Sequence, residues 1–316
     1  MSQPGLPQEE PDFSLVLGGP IFQFFRRAHL SGSGLELLHR RIVVITLIAW
    51  LPLLILSSLS GHALGGSCTV PFLHDIVTQV RFLIALPVLI GTELIVHVLI
   101  RPVVQQFVKS NTVVAEERPK FNAAIDSAVR LRNSIPLELG LLILVFTTGH
   151  WLWQSRFLSL GFSSWYAILE GAHWRLTPAG YWNAYVSIPI FQFILMRWYL
   201  RLLIWSRFLW QVSRLNLHLI PTHPDRAAGL AFLVRSSYAF APILFAQGTL
   251  LSGFIANRVI YDGRNLLSFK MDVIGFIGFM LLCGFGPLTM FTPQLASAKR
   301  KGLFDYGLLA KESLNR

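Results

Sequence analysis

Six nearly unbroken apolar stretches set the rhythm of the chain, near residues 42–60, 82–100, 136–153, 182–203, 236–256 and 272–292. A helix crosses a hydrocarbon core of about 30 Å with roughly 20 residues, so each stretch predicts one transmembrane helix. The first begins only near Ile42, too far into the chain for a cleavable signal peptide, and reads as a signal anchor. Between the spans the pattern changes from solid to striped. Pro119 to Asn133 puts Phe121, Ala124, Ile125, Ala128 and Val129 on one helical face, with Asp126 and Arg130 expected to pair one turn apart. Arg207, Gln211, Arg214 and His218 form a polar stripe opposite Phe208, Leu209, Val212, Leu215 and Leu219. Both stretches predict amphipathic helices at the membrane surface, with arginines reaching lipid phosphates. Leu15–Leu30 is apolar but too short to span, and is expected in the interface.

The fold expected is therefore an all-α membrane protein of about six transmembrane helices. Residues 1–41 form an N-terminal arm whose first 12 residues, polar and proline-rich, read as disordered. One transmembrane domain covers 42–292, with helical loops at 101–135 and 204–231, and 293–316 form a tail. Pro20-Ile21-Phe22-Gln23-Phe24 recurs as Pro189-Ile190-Phe191-Gln192-Phe193, with no wider period around the match. Pro52, Pro87 with Gly91, Pro242 with Gly248, and Gly284-Phe285-Gly286-Pro287 are expected to interrupt spans, as in transporters whose freed carbonyls line a site.

Composition agrees with the bilayer: 53% of residues are hydrophobic and only 14% charged. The net charge of +11 could suggest nucleic acid, but the arginines flank apolar spans and do not gather on a soluble face, so no nucleic-acid partner is expected. Their distribution fixes an orientation instead. Of the 27 Lys and Arg, all but Arg81, Arg156, Arg175, Arg258, Arg264 and Lys270 fall on one side of the predicted spans. By the positive-inside bias that side is cytoplasmic and holds both termini. The opposite loops are short and aromatic, with Phe157, Phe162, Trp165, Tyr166, Trp174, Tyr181 and Trp182 reading as an interfacial belt with a re-entrant or surface helix. Anionic lipid head groups on the cytoplasmic face are the expected partners, together with a small solute or ion. Oligomerisation is left open.

Ionisable residues inside spans are costly and mark pathways or pairs. Glu93, His97 and Arg101 share one helical stripe in the cytoplasmic half of the second span, and Glu138 lies at the inner end of the third. Gln192, Arg197 and Arg235 fall at a similar depth. These residues predict a polar vestibule open to the cytoplasm, with Glu93 and His97 as a proton or solute coupling pair. The competing reading is structural: neighbouring arginines neutralise the carboxylates and His97 only hydrogen-bonds between helices. No cofactor or metal is expected. His62, His74, His150 and His173 share the outer side with Asp75 and Glu170 but match no ligand spacing, and Cys68 and Cys283 are too differently placed for a disulfide. A Gly-rich phosphate loop, a zincin helix and a nucleophile elbow are all missing, so an enzyme is the less favoured class.

The polar turn Pro221-Thr222-His223-Pro224-Asp225-Arg226-Ala227-Ala228-Gly229-Leu230 lies on the same side. Its prolines stop the preceding helix, and Asp225 is placed to cap a new one through Arg226–Ala228, with an Asp225–Arg226 pair holding the turn. Gly229 is expected to allow close backbone approach. Functionally, His223, Asp225 and Arg226 could meet a phosphate, a carboxylate or a proton. With Arg207-Phe208-Leu209-Trp210 and Arg214-Leu215-Asn216-Leu217 before it, the turn resembles that of a family of bacterial multi-spanning inner-membrane proteins. That resemblance implies an inner-membrane location, and it carries no activity and no catalytic residue. Three functions follow as expectations. The first is a small transporter or channel using the vestibule. The second is a non-transporting scaffold or sensor that binds anionic lipid or a partner. The third is a membrane-embedded enzyme acting on a lipid, with His223 and Asp225 as acid and base.

Overall fold

The computed structural model describes residues 13–18, 37–65, 68–158, 164–170 and 173–314. The described chain is almost wholly helical: α1 (Leu38–Leu59), α2 (Ile76–Lys109), α3 (Arg118–Arg132), α4 (Ile135–Leu158), α5 (Pro178–Val212), α6 (Val234–Asp262), α7 (Lys270–Thr289) and α8 (Thr292–Leu314). Five stretches, Leu38–Leu59, Ile76–Lys109, Pro178–Val212, Ala231–Asp262 and Leu266–Thr289, are long and apolar enough to cross a membrane. The remaining predicted span, 136–153, falls in α4, whose described apolar part Ile135–Thr147 is shorter. Leu47, Ile48, Leu51 and Ile55 face outward on α1, and α7 buries only Pro287. Apolar surface of that extent is what a bilayer covers. The chain is a multi-pass membrane protein.

Two helices carry the architecture. At about 1.5 Å per residue, α2 (34 residues) and α5 (35 residues) are each about 50 Å long, well beyond a hydrocarbon core of about 30 Å. They are built on one plan. A side chain caps the first turn, Asp75 accepting from Thr78 N and Thr177 from Gly180 N. A π-turn follows, at Arg81–Ala85 and Asn183–Ser187, and then a proline, Pro87 and Pro189. Proline lacks an N–H and its ring strikes the carbonyl four residues back. The wider π-turn moves that carbonyl aside, so the helix continues. The expected breaks therefore do not occur: Pro52, Pro242 and Pro287 also lie inside continuous helices.

Beyond the apolar slab, the ends of α2 and α5 project into a second packed layer. Phe107 on α2 meets Phe121 on α3 at 5.7 Å and Phe232, ahead of α6, at 5.0 Å. It also meets Phe291, between α7 and α8, at 6.4 Å. Phe208 on α5 meets Phe121 at 5.9 Å, Trp205 at 5.4 Å and Phe13 at 5.5 Å. This corrects four expectations. The amphipathic face of α3 packs on protein, not lipid, and Asp126 and Arg130 are both exposed with no ion pair between them. The second amphipathic stretch is the end of α5 itself, with Phe208, Leu209 and Val212 fully buried. It stops at Val212, and beyond it Leu217 bridges Val113. Leu15 and Val16, the start of the stretch expected in the interface, are buried in this layer with Phe13, and residues 19–30 of that stretch lie outside the described residues. Residues 1–12, and Pro20–Phe24 of the short repeat, lie outside the described residues. The tail is helical over Thr292–Leu314, and Gln294 Nε2 donates to Ser213 O (2.6 Å) and Leu215 O (2.9 Å).

The opposite end corrects the aromatic-belt reading at Trp165, while Phe162 and the side chains of Phe157 and Trp174 lie outside the described residues. Instead of a surface helix, Ala167–Glu170 pairs antiparallel with His173–Leu176, Ala167 opposite Leu176. Trp165 is fully buried, not interfacial. Its ring meets Phe72 edge-on at 5.0 Å and its Nε1 donates to Asp75 Oδ2 at 3.0 Å. Asp75 also accepts from Thr78 Oγ1 (2.6 Å) and Asn257 Nδ2 (2.7 Å), which joins the hairpin end to α2 and α6.

Candidate functional site

The most charged part of the interior lies where α1, α2 and α5 meet. On α1 the inward stripe reads Leu38, Arg41, Ile45, Ala49, Leu53, Ser57, so helical periodicity turns Arg41 into the protein. On α2 the same rule buries Glu93 between Leu89 and Val96, and on α5 it buries Arg197, Trp198 and Arg201. Arg41 is 2% exposed, Arg201 5%, Glu93 7% and Arg197 9%. An unpaired ion in a dry interior costs several kcal/mol, so such burial calls for partners.

The pairing is specific. Arg41 Nη2 donates to Glu93 Oε2, and Arg201 Nη1 donates to Glu93 Oε1 at 3.0 Å. Arg201 also lies over the Trp198 ring at 4.6 Å, and Trp198 Nε1 donates to Leu89 O at 2.8 Å, tying α5 to α2. Arg197 faces Glu138 of α4, with Nη2 and Oε1 at 3.6 Å: an ion pair, but too long for a hydrogen bond. Between these groups lies a cleft with about 20 Å³ for the centre of a water molecule, room for one water. Its walls are Arg41, Glu93, Arg197 and Arg201 with Trp198. One isoleucine from each helix, Ile45, Ile90 and Ile194, completes them.

No family model, curated protein or solved structure matches this chain.

Of the residues singled out in the sequence, the fold brings Glu93, Glu138 and Arg197 together. It adds Arg41 and Arg201, which the sequence presents only as flanking positive charge. His97 stands apart from Glu93's ion pairs, with Nδ1 3.1 Å from Ser14 Oγ. Arg132 of α3 donates to the Ser14 carbonyl, so residues 13–17 bridge α2 and α3 beside Phe208. Burial, and then the nearby Arg201 charge, pull the Arg132 guanidinium below its ordinary value. Arg235 is exposed at the start of α6 and, like Gln192, does not line the cleft.

The Pro221–Leu230 turn is a separate feature and is committed to its own backbone. Asp225 Oδ1 accepts from Ala227 N (2.9 Å) and Gly229 N (3.1 Å), and Oδ2 accepts from Ala231 N (3.1 Å). No helix forms over Arg226–Ala228. Instead Asp225 reaches ahead to the single 3₁₀ turn Ala231–Leu233 that leads into α6. Its side-chain partner is His223 (Nδ1 to Oδ1, 2.8 Å), not Arg226, which is exposed. Partial burial raises the Asp225 pKa, but the three backbone N–H groups and His223 outweigh it and hold the carboxyl at about 2. Gly229 serves the turn through φ +95°, where only glycine is unstrained, rather than through close approach. On the opposite side, Asp75 is spent on Trp165, Thr78 and Asn257, while the His150 and His173 side chains lie outside the described residues. No three metal-ligating side chains converge among the described residues.

Proposed function

We propose that the chain is a small transporter or channel of the bacterial inner membrane, with the Arg41–Glu93–Arg201 and Arg197–Glu138 pairs as its solute site. On this reading α4 is the sixth crossing, and the arginine-rich layer with both termini faces the cytoplasm. The carrying observation is five charged side chains from four helices gathered in the interior, four of them on helices long and apolar enough to cross a membrane, an arrangement whose cost is met where a charged solute has to be handled. The cytoplasmic vestibule is reduced here to a one-water cleft, and Glu93, held by two guanidiniums, is a structural anchor rather than a proton carrier. The coupling pair Glu93–His97 is replaced by the ion cluster itself. The test is salt efflux from proteoliposomes loaded with KCl. Efflux above protein-free vesicles that falls with Arg201→Gln supports the reading. Folded protein with no efflux of K⁺ or Cl⁻ counts against it.

The unbroken helices and the small cleft favour a second reading, a non-transporting scaffold whose basic layer holds anionic head groups. Lipid analysis of protein purified in native discs separates the two. Tightly retained phosphatidylglycerol with no efflux would favour the scaffold. The lipid-enzyme reading draws little support from the turn, where Asp225 accepts three backbone N–H groups.

A further inference from the structure

We propose that the cleft beside Arg197 is a binding site for a small monatomic anion of the halide class. The inference rests on the cluster being the solute site, and not on transport itself. Among the described residues, three guanidiniums, Arg41, Arg197 and Arg201, lie with two carboxylates, Glu93 and Glu138. Both oxygens of Glu93 are taken, one by Arg41 and one by Arg201. The remaining cation is Arg197, 9% exposed, with its nearest carboxylate oxygen at 3.6 Å and no hydrogen bond to any described residue. A guanidinium carries five N–H donors and cannot shed its proton to escape burial. Arg197 lines a cleft that admits one water-sized body. A single-atom anion there would accept from Arg197 the hydrogen bonds that no described residue accepts. Ile45, Ile90 and Ile194 supply no competing acceptor and leave no space for a tetrahedral oxyanion.

The experiment is thermal unfolding of the full chain in phosphatidylcholine discs, in sodium bromide or chloride against sodium gluconate at equal ionic strength. A saturable rise in Tm with halide is expected in the wild type. In Arg197→Gln the halide-dependent rise disappears, which removes general salt effects as its cause. Glu138→Gln takes away the competing carboxylate and is expected to lower the half-saturating halide concentration by about tenfold, an arm that survives if Arg197→Gln fails to fold. No difference between halide and gluconate in the wild type, an equal rise in Arg197→Gln, or an unmoved midpoint in Glu138→Gln would each overturn the site. Loss of the halide response on adding phosphatidylglycerol would place the response on a basic surface open to lipid head groups and overturn the cleft as its site. A halide-dependent Tm without efflux would leave this site standing and sink the transporter reading alone.

Discussion

Arg41 and Glu93 lie 52 positions apart and meet as a hydrogen-bonded ion pair in the interior, joining α1 to α2. Glu93 is the only carboxylate that Arg41 and Arg201 share among the described ion pairs, so the three substitutions are not equivalent. Glu93→Gln removes the carboxylate that two buried guanidiniums share and should destabilise by about 3–5 kcal/mol. Arg41→Gln and Arg201→Gln each leave Glu93 one partner and should cost less. Thermal melts of the three variants check the order, and a Glu93→Gln protein as stable as the single arginine variants would contradict it.

Asp225 gives a pH dependence whose sign is fixed. Its folded pKa, about 2, lies below the ordinary aspartate value of about 3.9. Its contribution is complete above the unfolded value and fades as pH falls through about 2. The wild type should therefore lose more stability than Asp225→Asn between about pH 5 and pH 2. Parallel loss in both proteins would show that the carboxylate does not organise the turn.

Gly180 begins α5 against the hairpin. A methyl group there would collide with the Tyr166 carbonyl oxygen, which is backbone and cannot swing away. Gly180→Ala should cost at least about 1–3 kcal/mol. Gly275 on α7 has nothing within 4 Å of such a methyl, and Gly275→Ala should be neutral or stabilising by up to about 1 kcal/mol. Melting temperatures of the pair give a direct comparison.

Phe13 anchors the N-terminal segment by stacking on Phe208, and Ser14 Oγ accepts from Val16 N (3.3 Å) and Leu17 N (2.9 Å). Phe13→Ala should release the segment without unfolding the bundle. Amide exchange at Val16 and Leu17 should accelerate, while the α2 core amides keep their protection. Unchanged exchange at Val16 would mean that the stack does not hold the segment.

Much of this could be read from the chain. Apolar runs mark the spanning helices, and the cost of intramembrane charge points to Glu93, Glu138 and Arg197. Arg41 and Arg201 escape notice because a basic residue near a span end serves orientation as readily as it serves burial. The stripe Arg41, Ile45, Ala49, Leu53 was the available signal, since it puts Arg41 on the interior face. The amphipathic faces of α3 and the end of α5 are equally plain in the sequence, but an apolar face does not say whether lipid or protein covers it. Phe107, Phe121 and Phe208 decide that only once the fold brings three helices together. The π-turns are also silent, because a proline announces a lost hydrogen bond without announcing its remedy.

The unbroken run of α5 makes it a stiff lever through the slab. A push on the hairpin at Tyr166 reaches Gly180 directly, and beyond it every residue to Val212 shares one rod. Trp198, Arg201 and Phe208 would then turn together, shifting ion pairs and aromatic layer in the same stroke. The widened turn at Asn183–Ser187 is the one place on that rod where a slip of backbone register can be absorbed, so it sets whether the two ends move as one.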